Sequence, residues 1–205
     1  MSANAPSAPS IPNAPLNSDR RLWITVTSVA GGAGLVAAAV PFVASFEPSE
    51  RTLAQGGPVE VNLAGLAPGK LQTVEWRGKP VWVLKRTPEM LASLTHDDSL
   101  LADPLSKRSE QPAYAKNPVR SVKPEVLVLV GICTHLGCIP TFRPTPASPD
   151  LGASWPGGFY CPCHGSKFDL AGRVFKNVPA PINLQVPPYE FVSADKLIVG
   201  VDPKA

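Results

Sequence analysis

CTHLGC, Cys133 to Cys138, and CPCHGS, Cys161 to Ser166, decide how this chain reads. All four cysteines and two of the three histidines of a 205-residue protein fall inside these two six-residue stretches, which stand 22 residues apart. Each stretch offers one thiol and one imidazole in close sequence, C-x-H in the first and C-x-x-H in the second, and each has one cysteine left over. Three chemistries compete for this set. A structural zinc site takes two sulfurs and two nitrogens tetrahedrally, but leaves two cysteines unexplained. A disulfide scaffold uses the cysteines and leaves both histidines idle. A two-iron, two-sulfur cluster with two cysteines on one iron and two histidines on the other uses every residue, if the spare cysteines bridge the two loops.

Outward from the first box, Glu125 to Gly131 (EVLVLVG) is the most apolar run and reads as a strand buried on both faces. Val59, Val61 and Leu63 alternate with polar residues, and Pro68-Gly69 marks a turn. Leu71 to Trp76 and Val81 to Leu84 flank Arg77-Gly78-Lys79-Pro80. Ile182, Leu184 and Val186 alternate as a further strand, and Tyr189 to Val192 pairs with Leu197 to Val201. Only Pro88 to Leu94 reads as a helix in this part, with Pro88 in the first turn. Short strands with closely spaced turns predict a mostly β fold, an antiparallel sandwich or small barrel carrying a two-loop subdomain over about 131–181. Between the boxes, Ile139 to Gly158 with five prolines reads as a surface loop.

The N-terminal quarter differs in kind. Residues 1–19 are proline-punctuated and nearly uncharged, which predicts a disordered tail. Leu22 to Phe46 runs 25 residues without a formal charge, and as a helix would extend roughly 37 Å, enough to cross a hydrocarbon core of about 30 Å. It is longer than the apolar core of a cleaved signal, so residues 20–46 read as a retained anchor. Arg20 and Arg21 precede the span, which leaves the N-terminus in the cytoplasm and the bulk of the chain outside. The same pair fits a twin-arginine export signal, which would carry a domain across with its cofactor already bound. Residues 47–58, polar and with the pair Gly56-Gly57, read as a flexible tether to the domain at 59–205.

The net charge of +3, from 19 basic and 16 acidic residues, is too small and too mixed for a nucleic-acid-binding surface. The 25 prolines, about 12% of the chain against a usual 5%, predict many fixed loops. His96 in LTHDDS reads as a surface histidine.

With the two boxes, the charged-pair span, the tether and the segment Val178-Pro179-Ala180-Pro181 in view, the chain resembles the Rieske iron–sulfur protein of cytochrome bc1 complexes. The resemblance implies that Cys133 and Cys161 bind the inner iron of a [2Fe-2S] cluster, that His135 and His164 bind the outer one, and that Cys138 pairs with Cys163. It further implies hydrogen bonding or shielding of the cluster by Leu136, Gly137, Gly165, Ser166 and Pro179. The disulfide would close a 26-residue loop, worth roughly 3 to 4 kcal/mol in the chain-entropy model. The family usually has a tyrosine two positions after the box serine, bonding a ligand sulfur; here that position is Phe168. One donor to the reduced cluster is lost, which implies a somewhat lower potential, with Ser166 keeping the other bond.

The expected function is a bacterial quinol:cytochrome c oxidoreductase subunit in the inner membrane, single-pass and part of a dimeric complex. Its expected partners are cytochrome b, cytochrome c1 and ubiquinol or another quinol, with no nucleic acid. His164 meets the quinol, by resemblance, and the domain swings on Gly56-Gly57. The alternatives are the Rieske small subunit of another exported redox enzyme, such as an arsenite oxidase, and a structural zinc module.

Overall fold

The computed structural model describes residues 17–49, 56–95 and 98–202. Most of the expected tail, much of the expected tether and His96 lie outside these residues. The chain divides into two units, residues 1–49 and 50–205.

In the first unit, α1 (Ser18–Ala44) begins where the Asn17 side chain accepts from the backbone N–H groups of Asp19 and Arg20, satisfying two donors that a helix start leaves free. Thr25 and Thr27 return their hydroxyls to carbonyls three or four residues earlier, so few polar groups face outward from this helix. At 27 residues it is long and apolar enough to cross a membrane, and none of its residues is buried against protein.

The second unit holds three antiparallel sheets of three strands each. The first sheet runs β1 (Val59–Asn62), β9 (Lys196–Val199), β8 (Tyr189–Phe191); the second runs β2 (Leu71–Trp76), β3 (Lys79–Lys85), β4 (Val126–Val130). The third, β5 (Thr141–Arg143), β6 (Gly158–Tyr160), β7 (Lys167–Phe168), carries the second box between β6 and β7. A short helix α2 (Pro88–Ser93) starts on Thr87, whose hydroxyl accepts from the Met90 N–H. All five residues of β4 are buried, as the apolar run predicts, because β4 packs on both faces into a core shared by all three sheets.

Two expectations need correction. Ile182 to Val186 is no strand: its N–H and C=O groups bond singly to separate partners, Leu184 N–H to Gly172 O, Val186 N–H to Glu110 O, and Gln185 O to Val130 N–H. Leu184 and Val186 are buried as the alternation implies, but so is Asn183 between them, and the segment has no continuous ladder. The segment between the boxes is likewise more than a surface loop. Its residues 141–143 form β5, and Trp155 is buried with its indole N–H donating to Arg143 O.

The turn after β7 is held by charge. Asp169 accepts from the N–H groups of Ala171 and Arg173 and from Arg173 Nε at 2.7 Å. Arg86 donates to Leu170 O, and Arg120 donates to Ala171 O and Gly172 O. All four side chains are buried. Burial lowers Arg86 and Arg120 to about 10, with the nearby Asp169 charge opposing it, so both stay cationic at neutral pH. A second carboxylate, Asp103, accepts from the Lys107 and Arg108 N–H groups and the Ser109 hydroxyl. Burial alone would raise it, but these bonds win and hold it below its ordinary value.

Asp169→Ala should cost about 3–5 kcal/mol in denaturant unfolding, because it strands buried arginines. Lys196→Ala, which breaks the exposed pair with Glu60, should cost under about 1 kcal/mol. Since the folded carboxyl of Asp103 is depressed, its contribution should be complete above its unfolded value near pH 4 and fade as pH falls through the native value. Asp103→Asn should flatten that acid limb in stability measured against pH.

Candidate metal centre

The two boxes fold to the same backbone design. The Cys133 N–H donates to Cys138 O at 2.7 Å and the Gly137 N–H to Cys133 O at 3.1 Å; the Cys161 N–H donates to Ser166 O at 2.8 Å and the Gly165 N–H to Cys161 O at 2.9 Å. In each, the fifth residue is a glycine at positive φ, +83° at Gly137 and +77° at Gly165, which lets the loop reverse over six residues. No atom would block a side chain at either position, so the requirement is conformational and not steric.

This fold sorts the donors. Cys133 and Cys161 are free and buried, side by side, while His135 and His164 lie outside them with ring centroids 4.8 Å apart in an edge-on arrangement. Cys138 and Cys163 form a disulfide. The sulfurs of Cys138, Cys161 and Cys163 lie within 4.8 Å of one another, but the disulfide consumes two of them. Two inner thiols and two outer imidazoles remain, a polarised set that fits a two-iron cluster with sulfur ligands on one iron and nitrogen ligands on the other. Desolvation pushes the Cys133 thiol up, opposed by hydrogen bonds from the His135 N–H and the Ser166 hydroxyl. The same donors suit a bound thiolate, which needs no proton.

The proline segment and the residue after it are tied to both boxes. Pro179 and Pro181 lack N–H groups, so the Ala180 N–H is the one donor across these three residues, and it goes to Ser166 Oγ at 3.1 Å. Thr134 ties the other box to the same segment, its hydroxyl donating to Ile182 O at 2.6 Å. Nothing in the local sequence pattern around Thr134 signals this long-range bond. The two histidines differ in exposure: His164 is exposed and His135 half-buried, while Leu136 beside it is 72% exposed. Phe168 is fully buried and opposite Phe159 in the sheet. Gly56 lies against the domain, its carbonyl accepting from Arg77 Nε at 3.4 Å.

Two matched loops on a β scaffold, with paired thiols inside and paired imidazoles outside, define a Rieske-type iron–sulfur domain. The family model described as "Rieske [2Fe-2S] domain" matches residues 105–189. The ubiquinol-cytochrome c reductase iron-sulfur subunit of Allochromatium vinosum is 56% identical over 183 residues, covering 89% of this chain and 88% of the relative. The subunit of the same description from Blastochloris viridis is 41% identical over 184 residues, covering 88% and 92%. Among solved structures, a chain described as a hyperthermophilic respiratory complex III is 25% identical, covers 86% of this chain and 98% of that one, and has a TM-score of 0.45. This chain belongs to the Rieske iron–sulfur subunits of ubiquinol–cytochrome c reductase.

Replacing Cys138 and Cys163 together by serine should lower stability by about 3–4 kcal/mol, given the 25-residue separation of the bridged cysteines. Unfolding of the non-reduced protein against the double variant measures it.

Proposed function

We propose that the chain is the electron-transfer subunit of a bacterial quinol:cytochrome c oxidoreductase, anchored by α1 in the inner membrane with its N-terminus in the cytoplasm and its cluster domain in the periplasm. The carrying observation is the donor set just described, two buried thiols and two outer imidazoles on clamped loops. When bound, the [2Fe-2S] cluster supplies one-electron chemistry, in a class whose potentials run from about −150 to +300 mV.

The protein's own residues supply the rest. Cys133 and Cys161 would hold one iron of the cluster, and His135 and His164 the other. Having only two anionic ligands keeps the site's charge less negative, which favours electron uptake. His164 accepts a hydrogen bond from the quinol hydroxyl at its non-ligating ring nitrogen and takes the proton there as the electron leaves the quinol. Its exposure, greater than that of His135, supports this choice. Leu136, next to His135 and exposed, offers an apolar contact to cytochrome b. The domain then carries the electron to cytochrome c1 by swinging on the tether at Gly56-Gly57, within a dimeric complex. Arg20 and Arg21 serve as the export signal and orient the span. Of the two redox readings, the similarity to ubiquinol–cytochrome c reductase subunits favours this one over the arsenite-oxidase type.

Low-temperature electron paramagnetic resonance of the dithionite-reduced protein, with iron and zinc assayed together, tests the proposal. A Rieske signal with two irons per chain and co-purifying b- and c-type haems is the expected result; zinc with no signal would sink it. Ser166→Ala should lower the midpoint potential and Phe168→Tyr should raise it, each by roughly 40 mV if one sulfur-directed bond is worth about 1 kcal/mol more in the reduced state. Prolines at Gly56 and Gly57 should slow quinol turnover while leaving the signal intact; unchanged turnover would refute the swing.

A further inference from the structure

One indole lies behind both loops. Trp82, on β3, stands opposite Leu129 of β4, two residues before the chain reaches Gly131. The Gly131 N–H donates to Pro80 O at 2.8 Å, and a Cβ at Gly131 would lie 2.7 Å from Trp82 Cζ2 and closer still to Cε2. The indole thus fills the space a side chain at 131 would need. The indole also stacks on Phe159 of β6, at 5.0 Å between centroids with planes 10° apart. Gly131 and Phe159 hold the same place in the two boxes, each two residues ahead of the first cysteine, Cys133 and Cys161. Their sheets share no ladder.

We infer that Trp82 is a positioning residue that sets the separation of the two cluster-binding loops from the inner side, as the Cys138–Cys163 disulfide does from the outer side. This rests on the cluster reading above. Ligand sulfurs on two independent loops must be held within about half an ångström of their working positions. A rigid ring touching both launch points does this without a hydrogen bond, since sheet stacking and ring overlap resist compression steeply.

The test uses the full-length holoprotein with its Rieske signal established. Trp82→Leu keeps an apolar side chain and removes the stack. Trp76→Leu is the matched control: Trp76 is 7% exposed against 6% for Trp82 and lies in the same three-stranded sheet, but its ring packs on Gly200. Trp82→Leu should release iron to a chelator about ten-fold faster or more and broaden the resonance line, with the disulfide intact by mass. Trp82→Phe should recover part of both, and Trp76→Leu should match wild type in both while losing global stability. Wild-type release and line shape in Trp82→Leu would overturn the inference, as would the same changes in Trp76→Leu. Should Trp82→Leu not fold, Gly131→Ala decides. Gly131 has no positive φ, so an alanine there tests space alone. It should shift the line shape by pressing the indole toward Phe159, and an unchanged line would overturn the inference.

Discussion

Two thiols and two imidazoles delivered by two separate loops meet at one place, and neither loop has enough structure of its own to bring them there. Each contains two short-range backbone hydrogen bonds and a glycine reversal. Everything else that fixes them comes from outside: the disulfide that joins them, and the proline segment, bonded to one loop through Ser166 and, at Ile182 just past it, to the other through Thr134. The metal site is therefore a property of the convergence, and its rigidity is set by the weakest tie among these.

Behind the loops the protein uses two unlike materials. The apolar part is aromatic and close-packed, with Trp82, Phe159 and Phe142 in sequence across the sheet boundary. The polar part is a buried set of three arginines around Asp169, in which carbonyl oxygens of the 170–172 turn absorb the excess donors. Burying such charge is costly unless each group is paired and bonded. Its compensation is geometric, because one turn following the second box becomes fixed from Arg86 just after β3, from Arg120 and from its own Arg173. Arg120 is additionally at a positive φ of 51°, with its Nε lacking a partner among the described residues, a strained residue retained for its carbonyl contacts.

Much of this could be read from the chain alone. The two boxes, residues 133–138 and 161–166, stood out as a site because random placement does not gather six of the seven cysteines and histidines into twelve positions. β4 was legible as a continuous apolar run, and α1 as an uncharged stretch longer than a signal core. The failures share a cause. Ile182 to Val186 alternates like a strand, but alternation reports only that one face is buried and not where the backbone hydrogen bonds go. The prolines of 139–158 hid β5, since three residues of strand next to turns give no periodicity to detect.

The two boxes, the helix and the buried strand β4 are short-range properties, written in residue types and their spacing, and the sequence by itself determined them. Which cysteines remain thiols, which imidazole faces solvent more, and which side chains hold the loops apart were decided only by the tertiary structure. Those depend on contacts such as Trp82 with Phe159, Ser166 with Ala180 and Thr134 with Ile182, separated by up to 77 positions along the chain. No local pattern encodes such a contact, because packing selects it from many side chains of similar size once the sheets have formed.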